Sequence, residues 1–202
     1  MISLLQRDAL LSHLSGQLWP FEPLLSALAL PATADVLDIG AGAGRLLALL
    51  RMRGHSGQLA GLDPEPGPGV MRGRAEQLPF PGNHFDAAFF IRTLLHVVDF
   101  SQALAEARCV LKPGGRVIVT VQGAGHLAAF WALFGPSDEG ADVATARLLT
   151  EWPFERLDIR LPVTLKTQDV WAIAESYAVP MLPVDTDLAD HLHLTLFTLR
   201  KF

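Results

Sequence analysis

The chain has 202 residues, half of them hydrophobic and 18% charged, with a formal net charge of −5 and one cysteine. This composition excludes general disorder and an internal disulfide framework, and it argues against the basic footprint on which nonspecific nucleic-acid binding depends. The length predicts one domain spanning 1–202, large enough to fold around its own core.

The opening residues show neither a basic stretch followed by an apolar block nor a small-residue cleavage site. The longest apolar stretch, 85–98, is broken by Asp86, Arg92 and His96, short of the ~18 uncharged residues that a membrane span needs. A cytoplasmic protein with a small-molecule partner, and no membrane or nucleic-acid partner, is the expectation.

In chain order, leucines at helical spacing over 3–14 predict a first helix before Pro20, and a second covers 22–30 and stops at Pro31. The period then changes. Residues 36–39 form a short apolar run ended by Gly40-Ala41-Gly42-Ala43-Gly44, after which 45–53 resumes as a leucine-rich helix. Strands are predicted over 59–63, weakly over 70–73, and over 85–91, followed by a helix over 100–111. Lys112-Pro113-Gly114-Gly115 reads as a turn, and 116–121 as the next strand. Strands alternating with helices predict a mostly parallel sheet with helices on its faces. The stretch 123–162 is less regular and rich in Trp and Phe; a helix over 169–177 and a strand over 191–199 close the chain. The expected divisions are an N-terminal helical segment (1–30), a ligand-binding half (31–122), a cap or substrate-facing insertion (123–165) and a C-terminal helix with strands (166–202).

In an open parallel sheet, ligands sit beyond the carboxyl ends of the strands, where the strand order reverses, and the first glycine turn lies there. The dinucleotide fingerprint Gly-x-Gly-x-x-Gly is not met: from Gly40 its last position is Arg45, and from Gly42 it is Leu47. No Gly-Lys-Ser/Thr is present either. What the turn offers is Asp38 at its start and Asp63 at the end of the next predicted strand. A carboxylate in the latter place can accept from both hydroxyls of a ribose and so fix an adenosine at the sheet edge.

Five stretches together resemble the class I S-adenosylmethionine-dependent methyltransferases of small-molecule type: 36–44, Gly61-Leu62-Asp63, 75–86 beginning Ala75-Glu76-Gln77-Leu78-Pro79, Leu95-His96-Val97-Val98-Asp99, and Leu111-Lys112-Pro113-Gly114-Gly115. The resemblance implies a doubly wound α/β fold: a mostly parallel seven-stranded Rossmann-like sheet, with N-terminal helices and an irregular cap. It implies S-adenosylmethionine as cofactor, and no metal. It places Gly40, Ala41 and Gly42 along the methionine portion, and Asp38 either on the amino group or bracing the loop. Asp63 falls on the ribose hydroxyls, Ala75 and Glu76 at the adenine, and 91–93, with Arg92 at its centre, facing the sulfonium.

Two departures stand out. Arg74, a donor only, occupies a place where many relatives carry an aspartate that accepts from the adenine amino group. The helix expected between the second and third strands is missing, because Pro64-Glu65-Pro66-Gly67-Pro68-Gly69 cannot be helical. The face it would cover is then expected to be covered by the N-terminal helices or by a second chain in a homodimer. The expected function is methyl transfer to a small, partly apolar acceptor by direct displacement, with a catalytically degenerate binding or scaffolding protein as the alternative. His126 and His96 are candidates to take a proton from the acceptor; Phe130, Trp131, Phe134, Trp152 and Phe154 are expected to wall its site. Arg72 and Arg74 as a phosphate patch, and His191 with His193 as metal ligands, are weaker readings.

Overall fold

The computed structural model describes residues 4–135, 141–150 and 152–201. Seven strands form one sheet: β1 (Val36–Ile39), β2 (Leu59–Asp63), β3 (Met71–Arg72), β4 (Phe85–Ile91), β5 (Leu111–Gln122), β6 (Glu155–Leu165) and β7 (Leu188–Arg200). Their order is β3-β2-β1-β4-β5-β7-β6. The pairs β1–β2, β1–β4, β2–β3 and β4–β5 are parallel. The helices are α1 (Leu4–Ser15), α2 (Phe21–Leu28), α3 (Arg45–Met52), α4 (Phe100–Val110), α5 (Ala128–Ala132), α6 (Ala141–Thr150) and α7 (Thr167–Ser176).

The chain divides into two compact units. The larger, Leu30–Val121 with Ala144–Leu157 and Leu196–Phe202, holds β1 to β4, nearly all of β5, α3 and α4. Every residue of β1 is buried, as a strand covered on both faces requires. In α3 the leucines Leu46, Leu47, Leu49 and Leu50 face the core while Arg51 and Met52 lie exposed. Asp99 caps α4 by accepting from the Gln102 N–H at 2.9 Å, and Ala103, Leu104, Ala107 and Val110 form its buried stripe. These side chains join Leu37, Ile39, Phe85 and Phe90 in one core.

The smaller unit comprises Met1–Ala29, Gln122–Val143 and Asp158–Thr195. Within it α1 packs on α7, where the Arg7 guanidinium lies 3.8 Å over the Tyr177 ring. Arg7 also donates to the carbonyl of Ser176.

Two local readings change, and a third holds. Lys112-Pro113-Gly114-Gly115 is part of β5 and not a separate turn, with an irregularity in the pairing opposite Phe85 and Ala87. Its backbone is satisfied by Lys201: the Gly114 N–H donates to the Lys201 carbonyl and the Lys201 N–H to the Gly115 carbonyl, each at 2.8 Å. The irregular stretch contains a long strand, β6, at the edge of the sheet, whose Pro162 suits an edge position. Between β2 and β3 there is indeed no helix; a Pro/Gly loop connects them. No helix among the described residues is long and apolar enough to cross a membrane.

Candidate cofactor site

The strand order reverses between β1 and β4, so the larger unit has its topological crevice at their carboxyl ends. The turn after β1 lies there, and glycine is demanded at two of its positions. Gly40 has φ +78°, and the place its Cβ would take is filled by the Thr93 side chain from the segment after β4. Gly42 has φ +52° and nothing within 4 Å of where a Cβ would stand, so one side of the turn is open. The Gly40 and Ala41 N–H groups donate to the Leu62 carbonyl at 2.7 and 3.1 Å, seating the turn on β2.

Two carboxylates flank it. Asp38, on β1, is 4% exposed, and among the described residues no hydrogen bond reaches its carboxylate. Burial, with the nearby Asp63 charge adding to it, pushes the Asp38 carboxyl up to about 7. At the end of β2, Asp63 accepts from the Gly42 N–H through Oδ2 and from the Glu65 N–H through Oδ1, each at 2.8 Å. A carboxylate has about four lone-pair sites, so each oxygen retains acceptor capacity for a ligand hydroxyl.

Asp38, Gly40, Ala41, Gly42 and Asp63 are thus brought together. Ala75 is buried in the sheet core, leaving its backbone as what it can offer a ligand. Glu76 accepts through Oε1 from the Val98 N–H at 3.1 Å and the Asp99 N–H at 3.5 Å, with Arg74 at 3.4 Å from the same oxygen. Burial raises the Glu76 carboxyl, but these amides, its own N–H and Arg74 outweigh it and leave the group below its ordinary value. Arg92, directly after β4, adopts φ +54° while its N–H still donates to the Thr120 carbonyl at 2.9 Å.

Sequence reading overlooked the loop that replaces the missing helix. The Gly67 N–H donates to the Gly42 carbonyl at 2.9 Å, and a Cβ on Gly67 would stand 2.9 Å from the Ala43 Cα. The loop therefore leans directly on the glycine turn. Its signal was a glycine between two prolines. Arg72 belongs to the same device, its guanidinium donating to the Pro64 carbonyl at 2.6 Å; Arg74 is paired with Glu76, so the two arginines have structural partners.

The aromatic residues expected to form one wall are divided. Trp152 packs on Phe100 (5.5 Å between ring centres) and Phe154 on Phe197 (6.2 Å), all in the larger unit, where they extend the sheet core. Phe130, Trp131 and Phe134 cluster in the smaller unit, with Trp131 4.9 Å from Tyr177. His126 is buried there, whereas His96 is exposed at the end of a single 3₁₀ turn. His193 is buried and His191 exposed; among the described residues no group of acidic, His or Cys side chains is arranged to hold a metal.

Residues 37–119 match the family model of a methyltransferase domain. A ubiquinone/menaquinone biosynthesis C-methyltransferase of Psychromonas ingrahamii is 35% identical over 102 residues, covering 42% of this chain and 41% of that protein. A demethylmenaquinone methyltransferase of Lysinibacillus sphaericus is 30% identical over 122 residues, covering 53% of this chain and 52% of its own length. The chain thus spans about half or less of the curated relatives it matches. The crystal structure of a Thermotoga maritima S-adenosylmethionine-dependent methyltransferase, described as a possible histamine N-methyltransferase, aligns with a TM-score of 0.55 at 21% identity, over 98% of this chain and 92% of that one. The matched segment carries the glycine turn, its two flanking carboxylates and the strands on either side of the β1–β4 crevice, so this part of the chain is similar to a methyltransferase domain, and the likeness to the solved structure shows the fold.

Proposed function

We propose that this chain transfers the methyl group of S-adenosylmethionine to a small, partly apolar acceptor by direct displacement. The observation that carries the reading is the buried carboxylate of Asp38 beside the open flank of Gly42. A cationic amino group entering there would supply the partner that Asp38 lacks, and no side chain at Gly42 obstructs it. Asp63 would add the ribose hydroxyls to its two backbone partners. The adenine would be met by backbone around Ala75 and by Glu76, whose partners Val98, Asp99 and Arg74 all lie on Oε1 and leave acceptor capacity on Oε2. Arg92 and Thr93, after β4, would border the sulfonium end.

The cofactor supplies an electrophilic methyl carbon with a neutral thioether as leaving group. What remains for the protein is to bind, align and keep water out; well-oriented reactants account for ~7–11 kcal/mol of a barrier. The C-methyltransferase names of the relatives support a small-molecule acceptor. A cytoplasmic location is part of the same proposal, supported by the single cysteine, Cys109, which is free. A homodimer is retained too, supported by the exposed side chains of Met52 and Met71, and sedimentation velocity decides it.

Arg74, in place of an adenine-binding carboxylate, favours the second reading, a binding protein without turnover. Calorimetric titration with S-adenosylmethionine and S-adenosylhomocysteine tests both. Binding of each is expected; no heat at millimolar ligand would reject the cofactor site. Binding without turnover against a panel of phenols, amines and quinols would favour the second reading.

A further inference from the structure

Thr93 joins the segment leaving β4 to the glycine turn leaving β1. Its side chain occupies the place that a Cβ on Gly40 would take, and the residue is half-buried, so part of it stays accessible. Both strands belong to the larger unit, and their carboxyl ends bound the crevice where the strand order reverses.

The hydrogen bonds of Thr93 give its hydroxyl a direction. Oγ1 donates to the Ile91 carbonyl at 3.2 Å and to the Gly40 carbonyl at 3.4 Å. Both partners are acceptors, so the single hydroxyl proton is shared between them. Among the described residues no donor reaches Oγ1, and its lone pairs are left unused.

The backbone around this oxygen is held from several sides. The Gly40 N–H donates to the Leu62 carbonyl at 2.7 Å, the Arg92 N–H to the Thr120 carbonyl at 2.9 Å, and the His96 N–H to the Thr93 carbonyl at 2.9 Å. The hydroxyl dipole is therefore set before a ligand arrives, with its proton toward the two carbonyls and its negative end away from them. A dipole oriented in advance needs no reorganisation when a positive charge comes up to it.

We infer that Thr93 Oγ1 recognises the positive sulfonium centre of the cofactor and so separates S-adenosylmethionine from its demethylated product. The inference rests on the methyl-transfer reading, in which Thr93 borders the sulfonium end. On transfer, the acceptor's electron pair forms the new bond to the methyl carbon. The pair of the broken carbon–sulfur bond stays on sulfur, which becomes a neutral thioether. The attraction of the lone pairs for the charged centre, and for the polarised C–H bonds of its methyl group, ends there. Asp38 makes no such distinction, because the amino group proposed for it carries the same charge in both ligands. Thr93 thus acts as a specificity-determining residue that favours exchange of product for fresh cofactor, and no proton passes through it.

Calorimetry of the full chain with S-adenosylmethionine and S-adenosylhomocysteine tests this. Thr93→Val keeps the branched shape against Gly40 and removes the oxygen; Thr93→Ser keeps the oxygen and removes the methyl group. The wild type is expected to bind both ligands. Thr93→Val should weaken S-adenosylmethionine about 3- to 10-fold and leave S-adenosylhomocysteine within about twofold, whereas Thr93→Ser should keep the wild-type ratio of the two affinities. Should Thr93→Val fail to fold by circular dichroism, Thr93→Ala, which also lacks the oxygen, is read against Thr93→Ser in the same way. Equal losses for both ligands would mean that the side chain only shapes the turn and would overturn the inference, as would no loss for either. A wild-type chain that binds neither ligand would instead reject the methyl-transfer reading, and this inference with it.

Discussion

The carboxylate of Asp63 accepts the Gly42 N–H at 2.8 Å, tying the end of β2 to the turn that follows β1. The residue proposed to hold the ribose also braces the loop that would receive the methionine portion. Asp63→Ala removes both functions. A charge-assisted hydrogen bond is worth ~1.5–3 kcal/mol, so S-adenosylhomocysteine affinity should fall by roughly one to two orders of magnitude in calorimetry, with the fold retained by circular dichroism. Unchanged affinity would move the ribose elsewhere.

Asp38 supplies a pH dependence with a definite sign. Its native carboxyl titrates at about 7 against an ordinary 3.8. Between those values the folded protein holds more protons than the unfolded chain, so this group's contribution to stability declines as pH rises through that window and levels off above it. A cationic cofactor favours the ionised form. Binding at pH ~6 should therefore release close to one proton, visible as a dependence of calorimetric enthalpy on buffer ionisation heat. Affinity should climb with pH and flatten above about 7, and Asp38→Asn should abolish both effects.

Gly67 gives a test of the replacement loop. Adding a Cβ 2.9 Å from the Ala43 Cα forces backbone apart and strains the bond to the Gly42 carbonyl. Gly67→Ala should weaken cofactor binding about 10-fold while lowering the melting temperature by only a few degrees, the scale of ~1 kcal/mol. A control is Gly54→Ala, where a Cβ meets nothing within 4 Å and only the φ of +75° is unfavourable. If Gly67→Ala binds as well as the control, the loop does not shape the turn.

Gly123→Ala should be more damaging than Gly125→Ala, because the former puts a Cβ into the His193 ring and the latter 3.2 Å from one nitrogen. Overpacking of this kind costs ~1–3 kcal/mol, occasionally more. Chemical denaturation should rank the two in that order; the reverse would place the His193 ring elsewhere.

Strands β1, β2 and β4 were legible to the residue, since short apolar runs bounded by Gly, Pro and Asp leave few alternatives. The glycine turn and its two aspartates were legible as types at fixed spacing. The strand β6 was missed although Leu157, Ile159, Leu161, Val163 and Leu165 alternate at period two, because interleaved Arg and Asp and a Pro mask the pattern in a half-exposed segment. Glu76 shows a different gap: its residue type suits adenine, but only the folded chain brings the Val98 and Asp99 amides, twenty-odd positions away, onto its carboxylate. The seat for His193 was illegible for the same reason. Gly123 and Gly125 read only as the start of an irregular stretch until β7 supplies the ring they surround.

Pro162 gives the last strand of the sheet a protective property. An outer strand is a template on which another copy can add its own backbone, and charged residues with a missing N–H are the usual deterrents. β6 carries both, with Arg156 and Arg160 ahead of Pro162, along 11 residues that would otherwise be a long adhesive rim. Growth of the sheet by stacking of identical chains is thereby discouraged on that side, so the molecule can be concentrated without ribbons forming there.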